Sequence, residues 1–287
     1  MIEYALPDFN VHLKLNLMVH DMMHTAPELF FDDVRIASLY GNFPGCIMNG
    51  GRIMDGVPYT YDKISETFDR IGEAGLITRL TLTNMFIRPE QFEDEYCSAI
   101  LKAAAGRNVE VIVYSDELGD YISDKYHFRR ILSTTRALNG AGQLNEMLRR
   151  YDLVVLDYNR NKDNAFLRQV TDPARLEVMP NEQCEPGCPY RQEHYEHESR
   201  CQLENRNDFY PCRSSYEKGG FTSRTHTSPT LLSNEDIRRL NETYGIHWFK
   251  IVGRRNSPEL ILESYLYYLV RPEYRNTMNR ILRSHLD

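Results

Sequence analysis

Short β-branched and apolar runs recur along the chain, each followed by a helical pattern or a long loop. Strands are predicted at HLKLNLMV (from His12), VRIASLYG (from Val34), TRLTLTNM (from Thr78), EVIVYSDE (from Glu110) and RRILSTTR (from Arg129). Three more are predicted at LVVLDYNR (from Leu153), RLEVMPNE (from Arg175) and HWFKIVGR (from His247). Between them lie amphipathic helical stretches such as YDKISETFDRIGEAG, PEQFEDEYCSAILKAAAGRN and GQLNEMLRRY, with SPELILESYLYYLV after the last strand. There Ser257 is placed to cap the helix, with Pro258 in its first turn. Gly75 and Asn108 fall just past their helices, where a left-handed residue is wanted.

Strand–helix alternation implies parallel strands joined by right-handed crossovers, and eight strands point to a closed (β/α)8 TIM-like barrel in a single domain, 1–287. A doubly wound open sheet is the competing architecture, but no G-x-G-x-x-G follows an early strand. In such barrels the functional end is the C-terminal end of the strands. That end gathers His20, Tyr40, Asn42, Asn84, Ser115, Asp116, Thr135, Arg136, Asp157, Asn159, Asn181, Glu182 and Arg254. Taken singly, each is also a plausible helix cap or loop-closing residue.

Composition narrows the class. Hydrophobic residues make up 41% of the 287 positions, enough for a sizeable core. No apolar run approaches the roughly 18–20 residues of a membrane span, so no membrane partner is expected. The net charge of −7 argues against a surface dominated by phosphate contacts. The cations in RRY, NRNK, GRRN and RNTMNRILRSH are scattered, so an RNA substrate would need a local basic groove.

The chemistry concentrates in the cysteines. Cys184, Cys188, Cys201 and Cys212 fall within 29 residues, in a cysteine-rich insertion at 183–230 between strands seven and eight. Four thiolates complete the shell of a [4Fe–4S] cluster or a tetrahedral zinc ion. MIEYALPDFNVHLKLN has no basic region followed by an apolar core, which points to a reducing cytoplasmic setting where clustered cysteines bind metal more often than they cross-link. Zinc knuckles pair two C-x₂₋₄-C units, whereas here only Cys184-x₃-Cys188 has that form. His194 and His197 could replace a thiolate, or lie exposed on a charged helix. Cys46 shares the rim and could also substitute, while Cys97 is expected to be a small buried apolar residue. The radical S-adenosylmethionine loop C-x₃-C-x₂-C begins at Cys184 but has Arg191 in its third position. Disulfides remain the competing use of the thiols.

The segment LLSNEDIRRLNETYGIHWFKIVGRRNSPELILESYLYYL resembles the collagenase-like peptidase U32 family. The match runs through Asp236, Gly245, Phe249, Lys250, Ile251, Gly253, Arg254, Ser257, Pro258 and Glu259. The resemblance implies the barrel order and, by region rather than by aligned spacing, four-cysteine ligation of a [4Fe–4S] cluster. It further implies oxygen-independent hydroxylation, or a related redox modification, of a nucleobase or small aromatic substrate. Proteolysis finds no support, since neither H-E-x-x-H nor G-x-S-x-G occurs. At the rim Lys250 and Arg254 are candidates for holding an anion, and Asp116 and Asp157 for moving protons. For Lys250 the alternative is an inward residue paired with Asp157 or Glu177. The competing function is a non-catalytic barrel with a structural zinc site, acting as a binding or scaffold module.

Overall fold

The computed structural model describes residues 1–284 apart from 53, 55, 209, 213–221 and 254–257. The first half runs β1 (Ile2–Pro7), α1 (Phe9–Thr25), β2 (Val34–Gly41), α2 (Tyr61–Glu73), β3 (Ile77–Leu82), α3 (Glu95–Ala104), β4 (Val109–Val113) and α4 (Asp116–Tyr126). The second half runs β5 (Arg129–Leu132), α5 (Ala141–Arg150), β6 (Leu153–Val155), α6 (Asn164–Leu167), β7 (Leu176–Val178), α7 (Arg191–Leu203), α8 (Asn234–Tyr244), β8 (Trp248–Lys250), α9 (Pro258–Tyr268) and α10 (Arg275–Arg283). Each strand pairs in parallel with the next, and β8 closes on β1. This is a (β/α)8 barrel.

The first strand is not where the alternation placed it. HLKLNLMV lies in α1, whose buried residues Phe9, Leu15, Asn16 and Val19 follow helical spacing. The strand is IEYALP, buried at every position, so it has no polar face to mark it. Asp8 alone joins the two, in the left-handed conformation at φ 60°. His20 consequently sits on α1, 4.6 Å from the ring of His24, and not at the end of a strand. Gly75 takes the left-handed conformation expected of it, whereas after α3 that role falls to Gly106 rather than Asn108. Ser257 lies outside the described residues.

The barrel interior is layered by charge. At the N-terminal end the buried Arg79 donates from Nε to Glu110 Oε2 at 2.8 Å and pairs with Glu177 through a second nitrogen. Arg129 adds a bond to Glu110 Oε1 at 2.7 Å, and the Arg79 guanidinium lies 5.0 Å from the centre of the Trp248 ring. Glu177 thus belongs to Arg79 and not to Lys250. Above this ionic floor Ala5, Ile112, Ile131, Val155 and Met179 fill the barrel, while a larger apolar core lies between sheet and helices.

Removing one partner of a buried ion pair leaves a charge without compensation, so Arg79→Met is expected to destabilise the barrel by about 3–5 kcal/mol. Urea denaturation followed by circular dichroism measures it, and an unchanged midpoint would show that the floor contributes little.

Candidate functional site

The open end of the barrel is covered by two segments that hold each other. The β2–α2 connection is fixed from β3: Thr81 donates to Asn49 Oδ1 at 2.9 Å, and Asn42 donates to the Thr81 carbonyl at 2.7 Å. Asn84 donates to the carbonyls of Ile47 at 2.8 Å and Asn49 at 3.2 Å, and to that of Ser199 on α7 at 3.0 Å. Gly50 passes so close that a Cβ there would lie 2.4 Å from Asn84 Cα, which excludes any side chain. From α7, Gln202 accepts the Met54 backbone N–H at 2.7 Å. This loop delivers Arg52, whose Nη1 donates to the Gly51 carbonyl at 2.8 Å.

The second segment is the start of the excursion after β7. Arg191, at the head of α7, reaches back to Glu182 Oε2 at 2.9 Å, and Glu182 Oε1 accepts the Cys184 N–H at 3.1 Å. The Arg191 guanidinium lies 4.3 Å from the Tyr158 ring centre and 5.0 Å from that of Tyr195, with Arg52 5.9 Å from Tyr195. Burial alone would raise the Glu182 pKa, but the charges of Arg191 and Arg52 outweigh it and hold the carboxyl below its ordinary value. Burial likewise opposes the charge on Arg52, yet the phenol of Tyr195 and the carboxylates of Glu182 and Glu198 keep its pKa above the usual range. Tyr158 and Asn159, past the end of β6, fasten the same loop through bonds to the Glu185 carbonyl at 2.6 Å and from the Gly187 N–H at 2.7 Å.

Beneath these covers lies a cavity of about 50 Å³, with Arg52, Lys250 and Glu182 in its wall. Tyr40, Thr81, Thr83, Ser133 and Thr135 add hydroxyls to the same wall. Lys250 Nζ, on β8, is 4.2 Å from the centre of the Tyr40 ring, and Tyr40 donates to the Ile251 carbonyl at 2.8 Å. The cavity wall thus combines two cationic side chains, a carboxylate and hydroxyls. A wider cleft of about 250 Å³ adjoins it and contains Asp157, Cys188 and Arg191.

The predicted residues separate accordingly. Lys250 lines the cavity, and Asp157 the cleft, where its Oδ1 accepts from the Asn159 backbone at 2.9 Å and side chain at 2.8 Å. Asp116 lines neither. It lies in the first turn of α4, bonded to the Tyr151 hydroxyl and within 3.3 Å of Arg150 and 3.6 Å of Arg136. Arg254 lies outside the described residues.

The four clustered thiols are not brought into one shell. Cys184 neighbours Cys188, Arg191 and Glu182 at the head of α7, and burial raises its pKa despite the opposing charge of Arg191. Cys201 is buried near the tail of the same helix, its Sγ 3.4 Å from His197 Nε2. Ten residues of helix separate Arg191 from Cys201, an axial distance of about 15 Å. Sulfurs around one zinc ion lie only about 4 Å apart, given arms near 2.3 Å. Cys212 is exposed, and among the described residues no group of three or more His, Cys, Asp or Glu side chains is placed to hold a metal ion. The residues therefore do not assemble a four-thiolate site in this arrangement. His194 pairs with Glu198 at 3.2 Å and stacks on Tyr210 at 4.7 Å, and His197 donates from Nε2 to the Asp208 carbonyl at 3.0 Å. Cys46 is buried against Cys97, Sγ to Sγ 3.3 Å, which takes it away from the excursion thiols.

Arg52 and Tyr195 are the site residues that strand-end reasoning missed. The one sequence signal for Arg52 is the Gly50-Gly51 pair before it, which marks a backbone under close approach. Glu182→Gln is expected to destabilise the protein by about 2–4 kcal/mol, because Arg191, largely shielded from solvent, is left without its carboxylate. Since the folded pKa of Glu182 is depressed, its stabilisation is present above the ordinary value of 4.5 and is lost as the pH falls below it. The difference in melting temperature between wild type and variant should therefore hold steady above that pH and narrow beneath it.

No protein-family model and no curated protein sequence matches the chain. Among solved structures it is similar to that of the U32 peptidase Mk0906, with a TM-score of 0.57 and 14% identity, covering 90% of this chain and 95% of that one. The fold is thus similar to that of a U32 peptidase, in keeping with the resemblance read from the segment 231–269.

Proposed function

We propose that this chain is a divergent U32-like barrel protein that binds a small molecule carrying an oxyanion at the C-terminal mouth of the barrel. One observation carries the reading: Arg52 and Lys250 converge on a small hydroxyl-lined cavity. A guanidinium offers paired donors to a carboxylate or phosphate, and an ammonium adds a point charge. Low dielectric around the cavity strengthens both. Glu182 is engaged by Arg191, whose charge offsets its own.

Iron–sulfur-dependent hydroxylation of a nucleobase or small aromatic substrate, and the zinc scaffold, both depend on Cys184, Cys188, Cys201 and Cys212 meeting in one shell. Their support is the adjacency of Cys184 and Cys188 beside the cleft together with the U32-like fold. Two thiols do not complete either shell, so no step of the proposal passes through a metal.

Isothermal titration with inorganic phosphate and with acetate tests the anion site. Arg52→Leu and Lys250→Met are each expected to weaken binding at least tenfold, about 1.4 kcal/mol or more. Equal affinity in wild type and both variants would sink the reading. Metal analysis of protein purified without oxygen separates it from the thiolate readings. Less than one equivalent of iron or zinc per chain is expected; about four irons with matching sulfide, or one zinc, would restore a cysteine-bound group.

A further inference from the structure

We infer that the mouth cavity and the cleft beside it form one bipartite site for a sugar bearing an oxyanion. The inference rests on the anion-binding reading and extends it to the remainder of the ligand. The two spaces share Thr134, Thr135 and Tyr195 in their walls, so they adjoin, and a ligand would reach from one to the other past these three side chains. Their sizes divide the work. The inner cavity, about 50 Å³, is the smaller and takes the oxyanion, whereas the cleft, about 250 Å³, takes the larger remainder of the ligand.

The chemistry of the cleft selects the kind of ring. Asn139, Asp157, Asn159 and Gln192 line it, mixing amide donors and acceptors with a carboxylate. Vicinal hydroxyls both donate and accept, and such a mixed wall matches them. Asn159 bonds Asp157 from its side chain at 2.8 Å and receives the Gly187 N–H at 2.7 Å, which fixes the carboxylate at the edge of the cleft. A flat aromatic ligand would instead want an aromatic face to stack on. Among the described residues Tyr195 is the one aromatic side chain in the cleft wall, and its ring already carries the guanidinium of Arg191 at 5.0 Å and of Arg52 at 5.9 Å. The polar wall therefore favours a polyol over a planar base.

Titration calorimetry on the full chain decides the matter, using inorganic phosphate, the 6-phosphates of glucose, galactose and mannose, the matching uronic acids and the free hexoses. At least one sugar acid should bind about tenfold more tightly than phosphate, the gain of roughly two hydrogen bonds. A phosphate or a uronate as the tighter partner identifies the oxyanion, and either outcome supports the inference. The double variant Asn139→Ala, Gln192→Ala should return the sugar acid to the affinity of phosphate while leaving phosphate itself unchanged. If phosphate binds and no sugar acid binds more tightly, the sugar is wrong and the anion site stands. If neither phosphate nor any sugar acid binds, the anion site fails and the inference falls with it.

Discussion

The ion pair between Glu182 and Arg191, held between the rings of Tyr158 and Tyr195, organises the mouth of this barrel. Glu182 ends the seventh barrel unit and Arg191 starts α7, so their bond turns the chain back over the opening instead of letting it leave. The same carboxylate receives the Cys184 N–H, which ties the turn between them. Once α7 lies across the mouth, Ser199 and Gln202 meet the loop from β2, and Arg52 is set against Tyr195. Desolvation of two charges opposes this arrangement. Aromatic faces on the guanidinium and a backbone donor on the carboxylate supply the extra contacts that a buried pair needs.

Charge also closes the opposite end of the barrel, with a different consequence. Arg79 lies between Glu110 and Glu177, beneath an apolar layer that includes Ile112, Ile131 and Met179. The ions there pair with one another and with Arg129, although one oxygen of Glu177 is buried without a partner among the described residues. At the mouth, Arg52 and Lys250 stand around a void. Both ends bury charge, and at the mouth that charge borders accessible volume.

The architecture was legible because seven strands carry β-branched or apolar runs that end near the observed barrel strands. The first strand escaped because IEYALP is buried on both faces and so shows no alternation, while the neighbouring helix happens to alternate over HLKLNLMV. The rim was legible as a location, and Lys250, Asp157 and Glu182 line its cavities. What spacing could not reveal is the length of ordered helix between Cys188 and Cys201, which sets the thiols at opposite ends of α7. Arg191 shows the same limit. In a string of letters it stands where a further cysteine would be looked for, and in three dimensions it is the cation that folds the excursion onto the barrel. Arg52 has no periodic signature, since its place is set by backbone contacts with Asn84, Ser199 and Gln202.

The bond between Met54 and Gln202 joins residues 148 apart in sequence. Contacts of such separation close large loops and form slowly. The roof of the cavity therefore cannot exist until the cylinder has shut and the late excursion has settled upon it. During synthesis the early strands emerge with Arg52 still unhoused, and its neighbours on α7 follow only after five further strands.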